Sequence, residues 1–251
     1  MEPNYPQDIN FFTTYQCNSR CRNCFIWQGQ GQSPDRKELG VEQLSRLFAD
    51  PIFLKCPSIG LAGGEPTISP FFWKLLDILP GDKHVTITTN ALSSKKLVDF
   101  LSMAGQGGKY LIQVSLDGIG ETNDRICGVK GAYKKTIALL EKLQALDVER
   151  LISFTINQLN YHQLVDCYNL ANEYGAQFST RMAHIDGAYL NKENRSFFEF
   201  DKNELEALDC ALDMIISQEL KKPSHFPSRL VFIKKITDYY RGCPVWPSNP
   251  A

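Results

Sequence analysis

From Ile9 to Ile185 the chain alternates strand-like and helix-like runs six times, a rhythm that few folds accept. Ile9–Gln16, rich in Phe, Thr and Tyr, reads as a first strand, followed by a helix with Val41, Leu44, Leu47 and Phe48 on one face. Ser58–Ala62 is a short apolar run closed by Gly63-Gly64, and Phe71–Leu79 reads as a helix stopped by Pro80-Gly81. His84–Thr89 alternates cleanly, with Val85 and Ile87 on one face, and a helix spans Ser93–Met103. Leu111–Leu116, Leu151–Ile156 and Ala176–Ile185 supply three more strands, separated by helices over Ala132–Leu146 and Leu164–Tyr174. Six successive strand–helix units predict a parallel sheet with right-handed crossovers. No glycine-rich dinucleotide fingerprint or Walker loop follows any strand. After Glu199 the pattern gives way to two helices, Asn203–Leu220 and Leu230–Tyr240, joined by a turn-rich segment over Lys222–Pro227.

The conspicuous polar sequences fall where strands end. Cys17, Cys21 and Cys24 follow the first strand, Gly63-Gly64-Glu65-Pro66 the second, Thr89-Asn90 the third, and Ser115-Leu116-Asp117-Gly118 the fourth. Barrel-type α/β proteins build their active sites at that end. Three thiolates so close in sequence can hold three corners of a [4Fe–4S] cluster. No fourth ligand is nearby, which leaves one iron free to bind a small molecule, as open coordination does at metal sites generally. The competing reading is a zinc knuckle with Cys56 or His84 as fourth ligand, but zinc motifs usually come as two pairs and no second pair exists.

Composition narrows the field further. The 251 residues carry a formal charge of −1, which gives no electrostatic case for nucleic acid or an anionic membrane. No apolar run reaches transmembrane length and no signal peptide is visible, so a cytoplasmic location is expected. Eight cysteines in a chain this long do not make a disulfide scaffold. Cys56, Cys167 and Cys210 are expected to be small buried hydrophobes.

Cys-x3-Cys-x2-Cys after a first strand, with Gly-Gly-Glu-Pro after the second, resembles the radical S-adenosylmethionine (radical SAM) superfamily. Cys-Asn-x-x-Cys-x-x-Cys, Ile-Thr-Thr-Asn-Ala and Ser-Leu-Asp-Gly resemble its branch of cofactor and peptide maturases with SPASM or twitch extensions. The resemblance implies a partial (β/α)6 TIM-type barrel over residues 1–199 with a short helical C-terminal extension over 200–251, readable as the start of a truncated SPASM or twitch region. It implies that Cys17, Cys21 and Cys24 bind three irons while SAM chelates the fourth. Reductive cleavage of SAM then yields a 5′-deoxyadenosyl radical that abstracts hydrogen from a substrate. Gly63, Gly64 and Glu65 would cradle the methionine end of SAM, Thr89, Asn90 and Ser115 fall at ribose and carboxylate contacts, and Asn23 and Asp117 complete the expected contact set. A reductant such as flavodoxin or ferredoxin and a small-molecule or peptide substrate are the implied partners, with neither nucleic acid nor membrane among them.

Two positions depart from the superfamily's pattern. Asn23 stands where an aromatic residue usually precedes the last cysteine, leaving its backbone to contact adenine and Phe25 or Trp27 to stack. Asp124-Arg125-Ile126-Cys127-Gly128 carries cysteine where relatives often have an arginine that pairs with the SAM carboxylate. Arg181 is a candidate substitute, and Cys127 a speculative hydrogen-atom donor; no other catalytic residue is identified. Cys243 alone in the tail does not support an auxiliary cluster. The rival from another class is a non-catalytic iron–sulfur or zinc sensor, which would have no need of the Gly-Gly-Glu-Pro or Ser-Leu-Asp-Gly sequences.

Overall fold

Among the described residues every strand pairs in parallel with its sequence neighbour. In the computed structural model β1 (Asp8–Phe12), β2 (Ser58–Ala62), β3 (His84–Thr89), β4 (Tyr110–Ser115), β5 (Glu149–Ile156) and β6 (Gln177–Met182) lie in the order β1-β2-β3-β4-β5-β6. The structure describes residues 5–24, 26–29, 40–104, 108–183, 197, 199–221 and 235–241. The helices are α1 (Val41–Phe48), α2 (Pro51–Lys55), α3 (Phe72–Ile78), α4 (Lys95–Ala104), α5 (Glu121–Cys127), α6 (Ala132–Ala145), α7 (Leu164–Glu173), α8 (Lys202–Lys221) and α9 (Ile236–Tyr240). A sheet whose strands advance one place at a time, with crossovers of one hand, puts its helices on one face and curls its other face inward. Among the described residues β6 does not pair with β1, so the barrel stays open. It is the expected partial (β/α)6 barrel.

Strand parity sorts the two faces. Ile59, Leu61, Val85, Ile87, Ile112, Val114, Ile152 and Phe154 are fully buried beneath the helices, joined by Leu75, Leu97, Leu139 and Leu143. Each such side chain contributes roughly 1.5–3 kcal/mol, which makes this face the main source of stability. The opposite parity carries Asn10, Gly60, Thr86, Thr88, Gln113, Thr155 and Gln177, which line the concave interior.

Three expectations are revised. β1 stops at Phe12, not Gln16, because the chain beyond it turns across the end of β2. Two short helices were not predicted: five-residue α2 is capped by Asp50, whose carboxylate accepts from Ile52 N–H at 2.8 Å, and α5 buries only Asn123 and Ile126. Neither is long enough, or apolar enough, to show a period. Cys56 and Cys167 are buried as expected, but Cys210 is exposed. It lies off the α8 stripe of Leu208, Leu212, Ile215 and Ile216, which packs into the main core. The Tyr168 hydroxyl on α7 donates to Glu219 Oε1 at 2.5 Å and ties α8 down. Phe25, Ile185, the Lys222–Pro227 turn, Leu230 and Cys243 lie outside the described residues. No helix among the described residues is long and apolar enough to cross a membrane.

Candidate active site

The cysteine loop has no secondary structure of its own before its last turn and is held from two sides. On the first side, Thr13 N–H donates to Ala62 O at 2.8 Å, Gly64 N–H to Thr14 O at 2.7 Å, and Glu65 N–H to Gln16 O at 2.8 Å. That approach is why two glycines stand there. A Cβ on Gly63 would lie 2.3 Å from Thr14 O, and one on Gly64 2.0 Å from Gln16 O. On the second side, Arg20 N–H donates to Cys127 O at 2.9 Å, Arg22 N–H to Ile126 O at 2.8 Å, and the Ser19 hydroxyl to Cys127 O at 2.7 Å. Gly128, in the left-handed region at φ 70°, ends α5 and lets this contact form.

Between these clamps Cys17, Cys21 and Cys24 are half-buried and line a cavity of about 790 Å³ at the C-terminal ends of the strands. Ser19 N–H lies 3.4 Å from Cys17 Sγ, the Ser19 hydroxyl 3.1 Å from Cys21 Sγ, and Asn90 Nδ2 3.7 Å from Cys17 Sγ. Burial pushes all three thiols up, Cys21 well above the ordinary range; Ser19 and Asn90 beside Cys17, Ser19 beside Cys21, and the Ile26 and Trp27 backbone N–H groups beside Cys24 oppose it only in part. Among the described residues no three Cys, His, Asp or Glu side chains stand close enough to share one metal ion. Three soft thiols on one short loop, all facing one cavity, are the donor set an iron–sulfur cluster takes. The zinc alternative also loses both proposed fourth ligands. Cys56 is buried before the start of β2, with its thiol on Ser58 O, and His84 begins β3, beside Gly108 O. Both sit at the opposite end of the sheet, a strand's length of about 15–20 Å away.

Glu65 joins three of the marked sequences. It is buried, and its Oε1 accepts from Thr67 N–H (3.3 Å), the Thr67 hydroxyl (2.6 Å) and the Thr89 hydroxyl (2.9 Å), while Oε2 accepts, among the described residues, from Asn90 N–H alone (2.7 Å). Burial pushes its carboxyl up, against the pull of these donors. Asn90 Nδ2 in turn reaches Asn18 Oδ1 at 2.8 Å, and Ala91 follows with φ 64°, a left-handed conformation that a non-glycine residue adopts only under constraint.

Asp117 is the second centre. Its Oδ1 accepts from Thr155 N–H at 2.7 Å and its Oδ2 from Asn23 Nδ2 at 3.1 Å, with its own N–H on Asn123 Oδ1 and its carbonyl taken by Asn160 Nδ2. Burial raises its carboxyl, while Thr155, Asn23 and the charge of Arg181 lower it. Through Asn23 the Asp117 side chain also holds the cysteine loop. Arg181 lines the same cavity with Nη2 on the Ser153 hydroxyl at 2.7 Å, and Trp27 Nε1 donates to Cys21 O at 3.1 Å.

Cys17, Asn23, Gly63, Gly64, Glu65, Thr89, Asn90, Ser115, Asp117 and Cys127 thus all reach one cavity, together with Cys21 and Cys24. Sequence reasoning missed the inner wall of Asn10, Thr86, Gln113 and Gln177, and the Asn123–Asn160 support of Asp117. The signal for the wall was available: in an alternating strand, the parity opposite Val85 and Ile87 faces inward.

The comparisons with known proteins agree with this geometry. Residues 11–171 match the model of the radical SAM superfamily. The mycofactocin maturase MftC of Mycobacterium ulcerans (strain Agy99) is 29% identical over 173 residues, covering 68% of this chain and 46% of the maturase. The Fe-coproporphyrin III synthase of Methanosarcina barkeri (strain Fusaro / DSM 804) is 30% identical over 165 residues, covering 64% of this chain and 39% of the synthase. The chain therefore spans less than half the length of these curated relatives. Streptococcus suis SuiB, solved with S-adenosylmethionine and with its precursor peptide SuiA, shares the fold at TM-scores of 0.68 and 0.67 and 20% identity, over 86% of this chain and 48% and 47% of SuiB. With the cysteine loop, the open parallel barrel and a family match over most of that barrel in agreement, the chain belongs to the radical SAM superfamily, whose members carry a [4Fe–4S] cluster and bind S-adenosylmethionine.

Proposed function

We propose that this chain is the core of an enzyme that reductively cleaves SAM at a [4Fe–4S] cluster and abstracts hydrogen from a substrate held in the barrel. The observation that carries the reading is the convergence of the three thiols of one loop on the cavity that Gly63, Gly64, Glu65, Asn90 and Asp117 also line. Cys17, Cys21 and Cys24 would hold three irons, leaving the fourth to the amino and carboxylate groups of SAM. When bound, the cluster and SAM supply the hydrogen-abstracting chemistry; this chain's residues bind, orient and exclude water.

Oε2 of Glu65, with one donor, keeps acceptor capacity for an ammonium beside Gly63 and Gly64. Thr89 acts through Glu65, and Asn90, Ser115, Asn23 and Asp117 shape the remainder of the SAM site. Arg181 is the cation available to a carboxylate among the described residues that line the cavity. The amide and hydroxyl wall of Asn10, Thr86, Gln113 and Gln177 suits a neutral, hydrogen-bonding substrate, either a peptide segment or a small molecule. Residues 1–199 would form the catalytic core and 200–251 an extension packed on it. A flavodoxin or ferredoxin would supply electrons, in a reducing cytoplasm where free thiols and the cluster persist.

Anaerobic reconstitution tests the reading. About four irons per chain, and 5′-deoxyadenosine formed from SAM on addition of dithionite, are the expected results. Iron that stays near one per chain, or no 5′-deoxyadenosine from a loaded protein, overturns it.

A further inference from the structure

Two helices beside the cysteine loop carry their charges against their own dipoles. α4 begins Lys95-Lys96 and α6 has Lys134 and Lys135 in its first turn, and neither first turn holds an acid. The N-terminus of a helix is its positive end, so cations there are unfavourable and carboxylates favourable. Four other helices follow that rule, with Glu42, Glu121, Asp166 and Glu204 in the first turns of α1, α5, α7 and α8, whereas α3, with Lys74 in its first turn and no acid, shares the exception. The stability of α4 and α6 therefore gives no reason for these lysines.

They also share a place. Lys95, Lys96 and Lys135 wall an open groove between α4 and α6 with Ser93 and Ser94 on its rim, at the same end of the sheet as the cysteines. The one acid among the described residues lining it, Asp99, is paired with Lys95 at 3.0 Å, and the Lys95 side chain is still 93% exposed. Lys135 Nζ donates to Leu92 O at 3.2 Å and Lys96 Nζ sits 4.4 Å from the Trp73 ring centre; both residues remain exposed.

A hydrogen-bonded path joins this surface to the thiols. Exposed Ser93 accepts from Asn18 Nδ2 at 3.1 Å, Asn18 Oδ1 accepts from Asn90 Nδ2 at 2.8 Å, and that same nitrogen lies 3.7 Å from Cys17 Sγ. On a chain of net charge −1, four lysines at the surface end of this path form a local electropositive face.

We infer that the α4–α6 lysine face docks an acidic one-electron carrier protein of the flavodoxin or ferredoxin type, and that electrons enter through the Ser93–Asn18–Asn90 side of the cysteine loop. The transfer balances as one electron: the reduced flavin or iron–sulfur centre of the partner is oxidised, and the cluster held by the loop is reduced. The inference rests on the proposed cluster, and the test separates the two.

A reconstituted Lys96→Glu/Lys135→Glu variant is compared with a charge-matched control, Lys74→Glu/Lys142→Glu, whose sites are exposed on α3 and on the last turn of α6. Cluster reduction is followed by stopped-flow absorbance with two donors, a bacterial flavodoxin hydroquinone and dithionite, and affinity for oxidised flavodoxin is measured by calorimetry. The expected result is flavodoxin-driven reduction slowed about tenfold or more, with a flattened salt dependence and weakened binding. Dithionite reduction and the control variant stay unchanged, and the melting temperature does not fall, because a carboxylate at a helix N-terminus suits the dipole. Equal flavodoxin rates and affinities in both variants overturn the docking face; failure of dithionite to reduce the parent instead overturns the cluster reading beneath it.

Discussion

Gly64→Ala tests whether the glycine pair exists for the cysteine loop. The new methyl carbon would stand 2.0 Å from Gln16 O, 2.6 Å from its carbonyl carbon and 2.9 Å from Tyr15 O. All three are backbone atoms, so no flexible side chain can give way. Overpacking of this kind costs about 1–3 kcal/mol. Separating the two loop segments also breaks the bonds from Gly64 N–H to Thr14 O and from Glu65 N–H to Gln16 O, each contributing about 1 kcal/mol. The expected destabilisation is about 3–5 kcal/mol, or a melting temperature lower by roughly 6–20 °C for a domain of this size. The assay is circular-dichroism melting of the unreconstituted protein beside iron content after reconstitution, and both should fall. Gly81→Ala is the control within the same chain: a methyl there meets nothing within 4 Å and should be neutral to slightly stabilising. A Gly64→Ala protein that melts within about 2 °C of the parent and loads full iron would refute the reasoning. The glycines would then have to be assigned to ligand approach alone.

Cys21→Ala should abolish both cluster absorbance and 5′-deoxyadenosine formation, whereas Cys56→Ala, at the far end of β2, should keep both and lose roughly 1 kcal/mol of packing. Glu65→Gln sets an amide N–H₂ against either the Oε1 donors or Asn90 N–H, and should cost about 1–3 kcal/mol by urea titration. The raised Glu65 carboxyl binds its proton more tightly folded than unfolded, so its contribution is fully present below the ordinary carboxylate range and is lost as pH rises through the folded value. The parent's advantage over Glu65→Gln should therefore shrink from pH 4 toward pH 8, and an advantage that grows across that interval would contradict the burial of this charge.

The fold was legible because one physical signal decides it. Val85 and Ile87 share a parity, as do Ile112 and Val114, and burying that parity under helices six times over leaves little choice but an open parallel barrel. The marked residues were legible for a related reason, since each directly follows a strand, and strand ends converge. What remained hidden acts through atoms common to every residue type. Gly63 and Gly64 were read as room for a ligand, yet the nearest obstacles to a side chain are Thr14 O and Gln16 O, brought there by tertiary pairing. α5 was invisible because Ile126 is its only buried apolar side chain. Asn123 and Asn160 carry no sequence motif, and only the tertiary fold brings both onto the backbone of Asp117.

Cys127 shows most clearly how a residue can matter through an atom its name does not advertise. Its position suggested a thiol acting in chemistry, but its carbonyl oxygen accepts from Arg20 N–H and from the Ser19 hydroxyl, which itself lies 3.1 Å from Cys21 Sγ. The thiol makes only weak contacts, with Asp124 O at 3.7 Å and Val129 O at 3.8 Å. Any side chain leaves that carbonyl in place, so Cys127→Ala should keep the clamp, load full iron and change stability by about 1 kcal/mol or less. Gly128→Ala is the opposite case. Its methyl would lie 2.7 Å from Arg20 O at a φ of 70° that disfavours L side chains, so the loop must move and iron loading should fall with it. Iron lost in Cys127→Ala but kept in Gly128→Ala would reverse the assignment and make the thiol the anchor. A Cys127→Ala protein that loads iron and forms 5′-deoxyadenosine, yet no longer converts the substrate, would leave the clamp standing and give the thiol a separate part in the chemistry.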